Sequence, residues 1–174
     1  MKLAITGVMC SGKSTLSAYL VKNHNFYRIG FGDFVKKYAS EIFDMKIKDR
    51  KLLQLLGEKL KEIDNLVWIK LVEKKIKNLE SKGIKNIIID DVRFIDEVDF
   101  IKDNGFKLVR LSINKDLQIS RIKKTYPDTF KNHLARLDHI SELNCKYFNP
   151  DLEIKIIVDC KETLYSQINS FINK

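Results

Sequence analysis

The sequence predicts a three-layer α/β/α fold, a parallel sheet covered on both faces by helices, and three observations carry that expectation. Short apolar runs alternate with stretches of helical periodicity along the whole chain. One of them, "NIIIDD", is apolar without alternation, the pattern of a strand buried on both faces. A glycine-bearing stretch, "GVMCSGKST", joins the first apolar run to the first helical segment.

In chain order, Lys2 to Thr6 reads as a buried strand and "KSTLSAYLVKN" as a helix with Leu16, Tyr19 and Leu20 on one face. "FYRI" is a second strand candidate and "DFVKKYASEIF" a helix, followed by a polar turn from Asp44 to Asp49. "RKLLQLLGEKLKEI" and "LVWIKLVEKKIKNL" are two further helices, separated at Asp64-Asn65, and Gly83 closes the second. After the strand "NIIIDD" come the helix "IDEVDFIKD", a turn at Asn104-Gly105, the strand "KLVRLSI" and the helix "DLQISRIKK". The stretch from Thr125 to Asn149 is mixed and polar; the strand "IKIIVD" and the helix "ETLYSQINSFI" complete the pattern. No internal repeat or low-complexity tract interrupts it.

The chain has 174 residues, 44% of them apolar, with 2 Pro and 7 Gly, which suits one ordered domain over 1–174. No stretch approaches the roughly 18 consecutive apolar residues of a membrane span, and Met1-Lys2 runs into a strand without an apolar leader. A cytoplasmic location with no membrane partner is the expectation. Cys10, Cys145 and Cys160 are odd in number and widely spaced, so neither a disulfide framework nor a zinc site is indicated. His24, His133 and His139 also lack metal-ligand spacing.

Lys and Arg exceed Asp and Glu by 32 to 23, a net charge of +9. That excess suits an anionic partner. In helices such as "LVEKKIKNLESK" acidic residues interleave with the lysines, so a solvated face is favoured over a nucleic-acid surface.

Gly7 to Ser14 fits G-x-x-x-x-G-K-[ST] at every fixed position, between a strand and a helix. Glycines let successive backbone N–H groups turn towards phosphate oxygens, and the helix N-terminus behind them adds partial positive charge. Gly7, Cys10, Ser11, Gly12, Lys13, Ser14 and Thr15 therefore form the candidate ATP site. Lys13 would reach the β- and γ-phosphates, and Ser14 would offer its hydroxyl to Mg²⁺. A carboxylate at the end of a buried strand lies where ligands collect in α/β folds, which makes Asp90 the first candidate for a water-mediated Mg²⁺ contact and Asp91 the second. Arg93 is placed to grip a second phosphate through its planar fork.

A regulatory GTPase would carry N-K-x-D; "INKD" lacks the intervening residue and is read as the start of a helix with Asp116 as its N-cap. A motor or AAA-type ATPase would ordinarily need a longer chain.

The phosphate loop together with "GFGDFVKKYA", "RKLLQLLGEKLKEID", "VWIK", "DDVRF" followed by Glu97, and "HISE" resembles the deoxynucleoside monophosphate kinases of bacteriophages and large DNA viruses. The resemblance spans nearly the whole chain. It implies an adenylate kinase-like fold with a five-stranded parallel sheet, a substrate-binding helical region over about 32–80 and a mobile lid over about 121–149. It also implies that Asp33 and Lys36 lie beside the acceptor nucleotide, that Arg50 and Gln54 face the same pocket and that Arg93 holds the acceptor phosphate. Trp68 stacks there or packs, and Glu142 of "HISE" is a candidate substrate contact. Arg121 and Arg136 are the arginines a lid would deliver to the transferring phosphoryl group. One departure is that Leu60-Lys61-Glu62 places lysine where the family often has arginine.

The implied activity is ATP-dependent phosphorylation of a (deoxy)nucleoside 5′-monophosphate, with small nucleotides as partners and a homodimer as one assembly left open. Two other functions compete: a small-metabolite kinase resembling dephospho-coenzyme A kinase, with Asp33 as base, and a nucleotide-dependent nucleic-acid-binding module suggested only by charge.

Overall fold

The computed structural model describes residues 1–135, 137 and 140–173, without the side chains of Ile140 and Ser141. Arg136 and His139, both singled out above, lie outside the described residues. The chain forms two compact units, Met1–Arg28 with Asn86–Lys174, and Ile29–Lys85.

The first unit is built on the sheet. The strands of the sheet are β1 (Lys2–Gly7), β2 (Tyr27–Ile29, whose last residue opens the second unit), β3 (Ile87–Val92), β4 (Lys107–Ile113) and β5 (Leu152–Ile156), in the order β2-β3-β1-β4-β5. The pairings of β1 with β3, β1 with β4 and β4 with β5 are parallel. Leu3, Ala4 and Ile5 of β1 and Ile87, Ile88 and Ile89 of β3 are fully buried, as strands with helices on both faces require. On one face Leu3, Ile5, Ile88, Val109, Leu111 and Ile154 meet Leu16 and Leu20 of α1 (Lys13–His24) and Leu164 and Ile168 of α9 (Lys161–Ile172). Each such side chain contributes about 1.5–3 kcal/mol by leaving water. Strand alternation turns Leu108 to the other face, where α5 (Ile95–Asp103) lies against β4. The three-layer arrangement with a five-stranded parallel sheet is the one expected.

Central placement of β1 is what positions the site. Its C-terminal end releases the phosphate loop beside the end of β3, where Asp90, Asp91 and Arg93 follow one another.

Two local expectations are corrected. The N-cap of α6 (Lys115–Thr125) is Asn114 and not Asp116: the Asn114 side chain accepts from the Asp116 amide at 2.8 Å, so Asp116 sits inside the first turn. Strand β5 stops at Ile156, short of "IKIIVD", because its partner β4 ends at Ile113, the residue opposite Ile156. Ile157 and Val158 are exposed in consequence.

The polar stretch before β5 has local structure: α6 runs on to Thr125, and α7 (Phe130–Leu134), α8 (Ile140–Leu143) and a 3-10 turn (Asn144–Lys146) follow. His133 is buried and stacks on Tyr126 with ring centroids 4.1 Å apart.

The second unit consists of α2 (Phe31–Phe43), α3 (Arg50–Ile63) and α4 (Val67–Ser81), each in contact with the other two. Asp49 caps α3 by accepting from the amides of Lys51 and Leu52. Trp68, Val72, Ile76 and Leu79 of α4 are buried at helical spacing.

Candidate active site

The phosphate loop turns from β1 into α1 through three residues of positive φ: Gly7 at 145°, Cys10 at 60° and Gly12 at 102°. At Gly7 a Cβ would stand 2.5 Å from the Leu111 carbonyl oxygen, so the close passage of β4 excludes any side chain. Gly12 is the N-cap of α1 and has room around it; there the backbone angle alone selects glycine.

Side chains hold the loop's carbonyls. Lys13 Nζ donates to Gly7 O at 2.6 Å and Val8 O at 2.9 Å. Gln118 of α6 donates to Met9 O at 2.9 Å, and Arg121 Nη1 donates to Cys10 O at 3.1 Å. In a trans peptide a carbonyl fixed on one side leaves the following amide pointing to the other, so the Met9–Cys10 peptide turns its N–H away from Gln118. The Ser11 hydroxyl is buried within the loop without a hydrogen-bond partner among the described residues.

Beside the loop lies a cleft of ≈ 320 Å³ lined by Cys10 to Thr15 and by Arg121, Thr125, Tyr126, Ile156, Asp159, Cys160, Lys161 and Leu164. Arg121 spans it at the loop side, with Nε at 3.0 Å and Nη2 at 2.6 Å from Asp159 Oδ1. That ion pair holds the Asp159 carboxyl below its ordinary range.

The loop's other flank is charged. Glu142 is buried; its Oε2 accepts from the Met9 amide at 2.5 Å and its Oε1 from Arg93 Nη1 at 2.5 Å. Glu97 accepts from the amides of Arg93 and Phe94 at 2.7 and 3.1 Å, which fixes the backbone at the end of β3. Burial, and then the nearby Arg93 guanidinium, pull the Lys13 ammonium from 10.5 down to about 8. Asp90, also buried, accepts on Oδ1 from Arg28 Nε at 2.9 Å and Nη2 at 2.8 Å. Both contacts fall on one oxygen.

Lys13, Arg93, Glu142 and Asp90 thus belong to one electrostatic neighbourhood, since Lys13 responds to the other three. Arg121 lies on the cleft side of the same loop. Ser14 is exposed at the start of α1, and its hydroxyl, like the carboxylate oxygens of Asp90, is a hard donor of the kind that suits Mg²⁺.

The remaining candidates lie in the helical unit. Lys36 is 3.2 Å from Asp33 Oδ1, and Gln54 donates to Glu58 at 3.0 Å. Arg50 starts α3, and Lys48 is held below the ordinary lysine value by burial and then by Arg50 and Lys36. Three cations therefore cluster there. Trp68 is packed, with its indole N–H donating to the Gly57 carbonyl at 3.1 Å.

Sequence reasoning passed over Arg28, Lys48, Gln118 and Asp159. Gln118 had a signal, a polar residue on the apolar face shared with Ile122. Asp159 and Arg28 had none, because their partners are 38 and 62 residues away.

A family model described as "AAA domain" matches residues 3–136. The chain belongs to that AAA domain family. Its length had set AAA-type ATPases aside, but length bears on the additional parts of such machines and not on the nucleotide-binding core. The chain is 26% identical over 175 residues to the adenylate kinase of Borrelia recurrentis (strain A1), covering 96% of this chain and 72% of that protein. Among solved structures, a sugar kinase from Janibacter sp. HTCC2649 superposes with a TM-score of 0.61 at 14% identity, covering 99% of this chain and 94% of that one. The dephospho-CoA kinase from Campylobacter jejuni superposes with a TM-score of 0.60 at 18% identity, covering 98% and 96%. This AAA domain therefore has the fold of phosphate-loop kinases, and no helix among its described residues is long and apolar enough to cross a membrane.

Proposed function

We propose that the protein is a phosphate-loop kinase that transfers the γ-phosphoryl group of ATP to a (deoxy)nucleoside 5′-monophosphate. The observation that carries the reading is the meeting of Lys13 and Arg93 beside the loop. An ammonium at the start of α1 and a guanidinium just beyond β3 lie in the field of one buried carboxylate, Glu142, which bonds the guanidinium directly, an arrangement suited to two phosphate groups brought together. The weak likeness to an adenylate kinase supports the same class.

The donor triphosphate enters the cleft lined by Cys10 to Thr15, with the loop amides and Lys13 along its phosphates and Arg121 at the loop's outer side. Mg²⁺, when bound, neutralises charge on the β- and γ-phosphates; Ser14 and, through water, Asp90 Oδ2 would hold it. An oxygen of the acceptor 5′-phosphate bonds to the γ-phosphorus as the bond to the β–γ bridging oxygen breaks, and the electron pair leaves with ADP. The acceptor oxygen is already ionised, so no general base is required, and Lys13 and Arg93 align the groups and stabilise the charge. The Lys36, Lys48 and Arg50 cluster supplies a second cationic surface for the acceptor nucleotide, with Asp33, Gln54 and the 32–80 region around it. Arg121 and Arg136 act from the 121–149 segment in the same reading.

One observation favours a second reading, a small-metabolite kinase with a hydroxyl acceptor. Asp33 is 38% exposed and salt-bridged to Lys36, a solvent-accessible carboxylate of the kind a hydroxyl acceptor needs as base. A coupled ADP-release assay across all ribo- and deoxynucleoside monophosphates, with dephospho-coenzyme A in parallel, separates the two. ADP release dependent on a monophosphate is expected. Release with dephospho-coenzyme A alone overturns the first reading, and release with neither overturns both.

A further inference from the structure

Glu142 touches no element of the sheet by sequence proximity, yet its carboxylate joins the ends of two neighbouring strands. Oε2 takes the amide of Met9, two residues beyond β1, and Oε1 takes the guanidinium of Arg93, just beyond β3. The backbone of Arg93 is held separately by Glu97, so Glu142 bonds its side chain and Glu97 its main chain. The main chain that carries the carboxylate is held as well: Cys145 Sγ donates to the backbone carbonyl of Glu142 at 2.9 Å and closes that turn. A buried carboxylate is costly unless charge-assisted bonds offset its desolvation, and both of its oxygens have such a partner here.

We propose that Glu142 is the positioning residue of the phosphate site: one carboxylate sets Arg93 against the phosphate loop, and its negative charge competes with bound polyphosphate for the same cationic groups. This rests on the phosphate-site reading of the loop and not on the identity of the acceptor. Without Glu142 the Lys13 ammonium and the Arg93 guanidinium lose a shared compensating negative charge, which attracts anions more strongly, and the arginine loses the bond to Oε1 that aims it at the loop. The two halves of the inference therefore predict opposite effects on binding and on turnover. A carboxylate that merely supported the fold would lower both.

The test is Glu142→Gln, nearly isosteric and uncharged, probed with inorganic tripolyphosphate by calorimetry and with ATP and the preferred acceptor by steady-state kinetics. Tripolyphosphate affinity should rise about three- to thirtyfold and depend more steeply on salt. The KM for ATP should fall, while kcat drops about tenfold or more. Unchanged or weaker tripolyphosphate binding in a variant that melts with the wild type overturns the inference. Glu142→Asp covers the case in which Gln does not fold. It keeps the charge and shortens the reach, so affinity should stay near wild type while kcat falls; full kcat there shows that Glu142 does not position Arg93. Failure of the kinase reading shows separately, as no acceptor-dependent ADP release from the wild type, and leaves the tripolyphosphate result standing.

Discussion

Arg28 and Asp90 form an ion pair in which Nε and Nη2 of one guanidinium converge on a single carboxylate oxygen, at 2.9 and 2.8 Å. Asp90 is 7% exposed and Arg28 35%, so the acid depends on the base more than the reverse. Removing one partner of a fully buried pair costs about 3–5 kcal/mol; with Arg28 open to water on one side, Arg28→Gln should cost about 1–3 kcal/mol. Adding Asp90→Asn should recover much of that loss, because it removes the charge left without compensation. Denaturant unfolding of the two single variants and the double variant checks this, and additive losses would show that the pair does not operate as a unit. Asp90→Asn alone should also raise the Mg²⁺ concentration needed for half-maximal turnover, by about tenfold.

Lys13 gives a prediction with a definite sign in pH. Burial, and then Arg93, lower its pKa to about 8, whereas a polyphosphate bound against it favours the charged form and raises that value. Affinity for ADP should therefore be level below about pH 8 and fall above it, towards tenfold per unit, until the pKa of the complex is reached. Lys13→Arg stays charged throughout, and its profile should remain flat from about pH 7 to 9.5. Calorimetric titrations of both proteins over that range check the point. Equal slopes would assign the dependence to another group.

Two glycines of the loop should respond differently to alanine. Gly7→Ala drives a Cβ to 2.5 Å from the Leu111 carbonyl oxygen, a backbone atom of the central sheet that cannot step aside. Overpacking combined with the positive φ should cost about 2–4 kcal/mol and disorder the loop. Gly12→Ala meets nothing closer than 3.8 Å, so only backbone strain opposes it, about 1–2 kcal/mol. Thermal melts rank the two. A Gly7→Ala protein as stable as Gly12→Ala would mean that β4 yields.

The sequence's legibility followed the range of the interactions. The sheet could be read because buried parallel strands announce themselves locally, as in Ile87, Ile88 and Ile89, and α3 and α5 matched their apolar periodicity residue for residue. The loop was legible for the same reason, its glycines and lysine being fixed by spacing alone. What stayed hidden was pairing at a distance. Nothing near Asp90 tells that Arg28 will occupy one of its oxygens, and nothing in "HISE" tells that Glu142 will reach Met9, 133 residues earlier. Where both partners are polar and distant, periodicity carries no information about which will meet. The end of β5 failed for a related reason, since it is set by where its partner β4 stops.

Arg121 supplies the last prediction. It uses three nitrogens at once, Nη1 to the Cys10 carbonyl and Nε with Nη2 to Asp159, and so ties the phosphate loop to the segment between β5 and α9. A lysine at this position keeps the charge but offers a single point donor, which cannot hold the loop carbonyl and the carboxylate in one plane. Gly12 lies close to the same guanidinium, 3.8 Å from Nη1 to a Cβ built there, so loss of the fork bears directly on the donor side of the cleft. Arg121→Lys should therefore raise the KM for ATP by about tenfold and lower kcat, leaving the KM for the acceptor near its wild-type value and the melting temperature within a few degrees. Asp159→Asn tests the same tie from its other end: it should raise the ATP KM less, because Arg121 keeps its bond to Cys10. Steady-state kinetics with each substrate varied in turn distinguishes the outcomes. If the acceptor KM rises as far as the ATP KM in Arg121→Lys, the guanidinium serves the acceptor as well and not the donor nucleotide alone.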